Sequence, residues 1–486
     1  MLAFCILNAI LCLMVIKRTK IKSFIEESNQ KIADKTSVED LKKTLSMSLN
    51  IVDALCDRVF KSSSNSNIPP SQDPHRLRKR KKTKGKKRKP GGQKGHRGST
   101  LEQSKSPDEI EEISIDMSSL PEGRYKCVGY DSRQVMDIEI STHIKEYRAE
   151  ILENENGEQY VAEFPEGVNK AVQYGNGVKS HSAYLSNYQL IPLDRVREHF
   201  AGELGLPISK GTVSNINDEV VKKLKSIGFE EWIKRSLINS GVVNADETGS
   251  NVNGIGHWLH SLSTSKLTLY HMDAKRGSEA MDRMGVLAEY KGILCHDHWS
   301  SYYKYACKHS LCNAHHQREL EYAFENDGQE WADKMFKILV EIKNKVDASP
   351  KGYLTGKEIE RYEKRYYKIL LNGRQECPLA PRELGKKGRQ KKSKSRNLLD
   401  RLLNFKDDTL RFMKESDVPY TNNTAERDIR MAKLYQNISK CFRTLEGAQK
   451  FCLRRSYIAT AKKNGISPTD ALHILFEGKI PFFMRE

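Results

Sequence analysis

Hydrophobic positions in this chain change their period several times, and each change marks a different element. Val38, Leu41, Leu45, Ser48, Val52, Leu55 and Val59 fall alternately three and four apart, a heptad seam interrupted once at Ser48. Ser37-Val-Glu-Asp40 opens it as a capping box. This predicts a helix that pairs with a second copy or packs on its own chain. Lys61-Ser-Ser-Ser-Asn-Ser-Asn-Ile-Pro-Pro-Ser71 cannot continue the helix and starts a linker. Between 108 and 180, short alternating stretches such as Val135–Ser141 and Glu146–Leu152 predict a small β-rich module. Leu193–Leu204, the break Gly205-Leu-Pro-Ile and a helix from Ser209 to about Leu224 have helix-turn-helix form. Plain helical hairpins share that form, and sequence alone leaves the two readings level.

From Gly241 the pattern changes again. Gly241–Asp246, His257–Ser263 and Lys266–Met272 read as three strands, with turns at Ser250–Gly256 and Thr264–Ser265. A helix at Ser278–Ala288 follows, then a strand ending at Asp297, then alternating helix and short strand. The expected fold is α/β, a mixed sheet flanked by helices. In a ribonuclease H-like sheet the first and fourth strands are neighbours, which would set Asp246 beside Asp297. The predicted division is 1–60 (apolar start and heptad helix), 61–105 (basic arm), 106–190 (β-rich module) and 191–236 (helix-turn-helix-like). A catalytic domain at 237–470 follows, with a helical insertion at about 325–415, and then a tail at 471–486.

Charge changes the picture. The 486 residues carry a net +19, from 82 basic and 63 acidic side chains. Thirteen of the cations lie in one acid-free run: Arg76, Arg78, Lys79, Arg80, Lys81, Lys82, Lys84, Lys86, Lys87, Arg88, Lys89, Lys94 and Arg97. The run closes in a Gly/Pro-rich stretch, Lys89–Gly98, whose backbone amides can approach phosphates closely. A second cluster, Arg382–Arg396, holds eight cations and one acid. Two such runs favour polyanion binding over a merely solvated surface. Ten cysteines without a single C-x-x-C pair argue against a disulfide framework and for a reducing cytosol. Met1–Ile16 is uncharged and mostly apolar, yet short for a bilayer span, with its cations on the wrong side for a signal peptide. It is expected to be a translated extension, with a membrane-associated stub as the minor alternative.

Candidate chemistry rests on three acids. Asp246 and Asp297 each end an apolar run, and Glu426 sits in the helix-forming stretch Thr-Asn-Asn-Thr-Ala-Glu-Arg-Asp. Two carboxylates at strand ends and one on a later helix suit a two-metal phosphoryl-transfer site, where hard cations held by oxygen ligands flank an in-line displacement. Their neighbours Glu247 and Asp428 are the rivals. Strand alternation sends Glu247 to the face opposite Asp246, and helical geometry separates Asp428 from Glu426. Cys312-Asn-Ala-His315 lies just after Asp297; four closed zinc ligands are not evident there, and support of the sheet is the preferred role for Cys312 and His315.

These residues carry a family resemblance. From about Lys61 onward the chain resembles the insertion sequence 66 family of bacterial DDE transposases. The matching segments are Ser64–Ser71, Pro90–Ser99, Ala245-Asp-Glu-Thr248, His296-Asp-His-Trp299 with Tyr302, Cys312-Asn-Ala-His-His316, Asn422-Asn-Thr-Ala-Glu-Arg427 and Ala459-Thr-Ala-Lys462. The resemblance implies a ribonuclease H-like core with Asp246, Asp297 and Glu426 as catalytic triad, and a Cys-x-x-His element at Cys312 and His315. It implies a DNA transposase that cleaves 3′-ends and transfers strands with two Mg²⁺ ions, Mn²⁺ substituting. Terminal inverted repeats and target DNA would be its partners. It would act as a homo-oligomer on DNA in the bacterial cytoplasm, helper proteins being left open. The alternatives are a nuclease without strand transfer and a non-catalytic DNA-binding regulator. One departure matters: where many members carry a cysteine-paired zinc finger, this chain keeps only Cys127, so that module is expected to fold without zinc.

Overall fold

The computed structural model describes residues 101–379 and 392–485. The heptad helix, the basic arm from Arg76 to Arg97, and most of the Arg382–Arg396 cluster lie outside the described residues. Two short strands, β1 (Ile151–Glu153) and β2 (Gln159–Val161), form an antiparallel hairpin of their own. Val135–Ser141, expected as a strand, has no regular structure, and nearly every side chain from 101 to 173 is exposed. Its alternating apolar residues have no second layer to pack on, so strand pairing there stops at one hairpin.

Helices then dominate. α1 (Asn176–Ala183) runs into a π-helical turn, Tyr184–Tyr188, followed by α2 (Leu193–Gly202), α3 (Lys210–Ser226) and α4 (Phe229–Ile238). Gly205 makes the left-handed turn between α2 and α3 at φ +62°. Ser209 caps α3, its Oγ accepting the Thr212 N–H at 3.0 Å.

Five strands, β3 (Val242–Val252), β4 (Ile255–Ser263), β5 (Thr268–Asp273), β6 (Ile293–His296) and β7 (Lys308–Leu311), form a mixed sheet. β3, β4 and β5 are an antiparallel meander, and β6 and β7 are parallel. The first turn is tighter than the expected Ser250–Gly256. Pairing runs out to Val252 opposite Ile255, and Asn253 and Gly254 turn the chain at φ +49° and +82°. An Asn-Gly pair is what a two-residue hairpin turn with positive φ demands. α5 (Ser278–Met284) ends earlier than expected, because Gly285 adopts φ +74° and stops it. α6 (Asn313–Asp327), α7 (Glu330–Asp347), α8 (Gly356–Glu376), α9 (Lys394–Asn404) and α10 (Lys406–Leu410) follow β7, and α11 (Asn423–Ser439), α12 (Leu445–Lys463) and α13 (Pro468–Phe476) close the fold.

Contacts divide the chain into two compact units. One holds Ile293–Ser300 and Lys308–Asn422; the other holds the described residues up to Gly292, Ser301–Cys307 and those from Asn423 onward. In the second unit, α12 seals the open edge of the meander. The N–H groups of Thr268 and Tyr270 on β5 donate to Thr460 Oγ1 at 3.1 Å and Ser456 Oγ at 2.9 Å. Four residues of helix advance roughly 6 Å, close to a two-residue step along a strand, so the hydroxyls keep pace with the outward amides. Small residues every fourth position, Ala448, Cys452, Ser456 and Thr460, all buried, let the helix backbone come this close.

In the first unit the core lies among α7, α8 and α9. Trp331 is fully buried, and a Cβ added at Gly373 would stand 2.5 Å from Leu399 Cδ1 and 2.7 Å from Trp331 Cγ, so only glycine fits between these helices. Glu341 on α7 receives both guanidinium nitrogens of Arg365 on α8 (2.7 and 2.8 Å) and the Tyr362 hydroxyl (3.0 Å).

Thr460→Val keeps shape but leaves the buried Thr268 N–H without an acceptor, and is expected to cost about 1–3 kcal/mol in denaturant titration. Arg365 hydrogen bonding holds the Glu341 carboxyl down at about 2, against an ordinary 4.5. Its native value lies below its unfolded one, so the clamp stabilises fully above pH 4.5 and loses that contribution as pH falls towards about 2. The stability gap between wild type and Glu341→Gln should therefore narrow across that window in thermal melts; a gap constant with pH would refute the clamp.

Candidate active site

Asp246 does not end its strand. It lies within β3, paired in register with Ser261, and the strand continues to Val252 because the Asn253-Gly254 turn lets β4 extend equally far. Asp297 stands where expected, directly after β6; its Oδ1 accepts the Trp299 N–H at 3.2 Å, and His298 turns the chain at φ +75°. Glu426 occupies the first turn of α11. All three carboxylates are half-buried. Asp246 and Glu426 belong to one compact unit, with α11 packed on β3 and β4; Asp297, Cys312 and His315 belong to the other.

The two rival carboxylates are committed elsewhere. The Glu247 side chain is 1% exposed. Its Oε1 receives Arg276 at 2.7 and 3.1 Å, and its Oε2 receives the Tyr302 hydroxyl at 2.7 Å, while the Arg276 guanidinium lies 4.7 Å over the Trp258 ring. Asp428 is bound as fully. Its Oδ2 accepts Ser263 Oγ (2.6 Å), Thr268 Oγ1 (3.0 Å) and Lys463 Nζ (2.6 Å), and its backbone carbonyl accepts the Tyr270 hydroxyl (2.9 Å). Burial lowers the Lys463 pKa, and Asp428 opposes that shift. Asp428 thus fastens the first turns of α11 to the β4–β5 hairpin, two residues from Glu426. Strand alternation and helical geometry set Glu247 and Asp428 aside from the site, but nothing in the local sequence points to these partners. Tyr302 is visible only as part of a motif, and Lys463 and Arg276 carry no local signal, because they meet their acids 35 and 29 residues away across intervening helices and strands.

Around Asp297 the neighbours are histidines and a thiol. His296 is buried, its Nε2 3.1 Å from His309 Nδ1; burial and the adjacent imidazole hold it far below the ordinary histidine range and neutral. Cys312, also buried, begins α6: its N–H donates to the His296 carbonyl at 2.9 Å, and its Sγ accepts the Asn422 N–H at 3.1 Å. His315 lies in the first turn of α6, half-buried. Cys127 is exposed.

The three acids stand on a β-strand, directly after a strand and on a helix, within an α/β fold that carries a mixed sheet. The model of the family described as "Transposase IS66 family" matches residues 171–450, a span that includes all three, and the chain belongs to that family. No curated protein matches the chain. Among the described residues, no helix is long and apolar enough to cross a membrane.

Asp428→Ala would strand the Lys463 ammonium in a site where both side chains are under one-fifth exposed. Breaking such a pair from one side is expected to cost about 3 kcal/mol or more. Ser263→Ala, which removes one neutral donor to the same oxygen, should cost about 1 kcal/mol. Equal losses in equilibrium unfolding would show that the ion pair is not the principal tie.

Proposed function

We propose that this chain is the transposase of an insertion sequence, binding the element's ends and catalysing metal-dependent 3′-end cleavage and strand transfer on a ribonuclease H-like core. One observation carries the reading: the family match spans Asp246, Asp297 and Glu426, while the two acids nearest in sequence, Glu247 and Asp428, are consumed by ion pairs. The carboxylate oxygens of these three acids fit Mg²⁺ or Mn²⁺, which prefer hard ligands, better than a soft thiophilic ion. Asp246 and Asp297 would hold two such ions and Glu426 would complete the shell of one. Bound there, the ions supply positive charge against the phosphorane-like transition state and ease ionisation of the attacking water.

The chain's own residues do the rest. The strand and helix carrying Asp246 and Glu426 fix two carboxylates before DNA arrives, which lowers the reorganisation needed during reaction. Hydrolysis breaks a phosphodiester at the element end and leaves a 3′-hydroxyl. That hydroxyl then attacks a target phosphodiester and displaces its 3′-oxygen in a transesterification, so no Ser or Tyr nucleophile is required. The Arg76–Arg97 arm, the α2–α3 pair and the Arg382–Arg396 cluster would grip DNA, mostly through phosphates. Cys312 and His315 would support the β6–α6 junction without zinc; stoichiometric zinc in the purified protein would overturn that role. Acting in the bacterial cytoplasm, the protein would assemble as a homo-oligomer on paired ends.

With cognate ends in Mg²⁺, wild type should nick and join. Asp246→Asn, Asp297→Asn and Glu426→Gln should each lose both steps by at least about a hundredfold while retaining DNA affinity. Nicking without joining would favour a nuclease. Binding that is indifferent to divalent metal, with no cleavage, would favour a regulator.

A further inference from the structure

α8 separates its charges in a way that an ordinary solvated helix does not. Lys357, Arg361, Lys364 and Lys368 are spaced four, three and four apart, so they share one face, and all four are exposed. Exposed helices usually alternate acids and bases along a face, each neutralising the next. Here three of the four acids are spent elsewhere. Glu358 folds back onto Thr355 as the capping box and reaches Lys345 (3.5 Å). Glu363 binds Lys414 (2.7 Å) and Lys406 (3.7 Å), and Glu376 accepts the Trp331 N–H (2.9 Å). Glu360 alone faces the stripe, paired with Lys364 at 2.6 Å. Among the described residues, Lys357 and Lys368 make no ion pair. The opposite face is fixed in the core through Tyr362, Tyr366, Leu370 and Gly373, so the stripe is rigidly mounted.

We propose that this face of α8 is a docking surface for the phosphate backbone of duplex DNA, additional to the basic arm and to the α2–α3 pair. Four cations over about 16 Å of helix face a polyanion that carries one charge per 1.7 Å of its axis, so each can meet a phosphate without distorting either partner. Tyr367, 49% exposed and flanking the stripe, adds a hydroxyl donor to phosphate oxygen. The contacts read no bases, so the surface suits DNA of any sequence, as a target must be. The assignment rests on the transposase reading and deepens it by placing a partner on the helical insertion.

The test is the salt dependence of duplex binding by the full chain, with wild type beside a variant carrying Lys357→Gln, Arg361→Gln, Lys364→Gln and Lys368→Gln. Glutamine preserves helix propensity, and an unchanged circular dichroism spectrum and melting temperature certify the fold. Each lost phosphate contact should flatten the log–log salt slope by roughly 0.9, about 3 to 4 in all, with weaker binding to random and cognate duplexes alike. An unchanged slope overturns the proposal. So does an equal loss per charge in a control variant, Lys266→Gln with Lys291→Gln and Lys479→Gln, which would show bulk charge rather than a surface. If wild type itself binds duplex DNA without salt dependence, the nucleic-acid reading falls first, and that result is distinct from a failure of α8 alone.

Discussion

The meander of this fold ends in an unprotected edge, and the way that edge is closed conditions much else. Outward N–H groups on β5 would otherwise lie buried and unpaired or invite another strand. α12 supplies hydroxyls instead of a sixth strand, with Ser456 and Thr460 as acceptors. This solution constrains the helix closely. Its contact positions must recur every fourth residue, must be small, and at two of them must carry an oxygen. Ala448, Cys452, Ser456 and Thr460 meet those conditions. Once α12 is fixed on β5, Lys463 at its end stands where its ammonium reaches Asp428, and the Thr264 and Leu267 carbonyls beside it. The helix bearing Glu426 is therefore located by the same edge that it does not itself touch through Glu426.

The other side of α12 faces the helical region. Arg454 Nε donates to Asn187 Oδ1 at 2.6 Å, and Arg455 donates to the Asn187 and Tyr188 carbonyls at 2.9 and 3.3 Å. Burial pushes Arg454 down to about 10, yet among the described residues neither arginine has an ion-pair partner. Their charge is satisfied by carbonyl dipoles at the end of the π-helical turn, where the widened helix leaves backbone oxygens available. Asn187 also donates to Asn217 Oδ1 on α3 at 2.6 Å, and Arg454 reaches the Asn217 carbonyl. One helix thus ties the α2–α3 pair and the meander into a single unit. That physical continuity is what a protein needs if force or position at the helix pair proposed to grip DNA is to be felt at Glu426.

Legibility in the sequence followed the range of the interaction. The break after α2 and the start of α3 are readable because Gly205 and Ser209 act within a few residues, through a left-handed turn and a capping hydroxyl. Glu426 fell in a helix, and Asp297 at a strand end, because local periodicity governs both. The β3–β4 turn was misplaced although Asn253-Gly254 was there to be read; the surrounding Ser, Asn and Gly residues made a longer loop look equally suitable. Val135–Ser141 failed for the opposite reason. Its alternation is genuine, but a strand needs a partner and a packed face, and that stretch has neither. The ties of Asp428 to Lys463, and of Glu247 to Arg276 and Tyr302, span gaps that no window on the sequence covers.

Two pairs of neighbouring acids have taken opposite fates, and the contrast bears on how the proposed metal site would be kept ready. Placing Glu247 next to Asp246, and Asp428 near Glu426, concentrates negative charge that would repel itself and raise the cost of ionising every member. The fold cancels half of it internally: Arg276 neutralises Glu247 and Lys463 neutralises Asp428. Those two cations also stay on their own carboxylates. A lysine or arginine free to swing would compete with a divalent ion for Asp246 or Glu426, as any nearby monovalent cation does at close range. Committing Arg276 and Lys463 to structural acids withdraws two such competitors while holding β3 and α11 in place. The structural ion pairs and the proposed metal site are in this sense one arrangement, in which the first makes the negative charge of the second affordable.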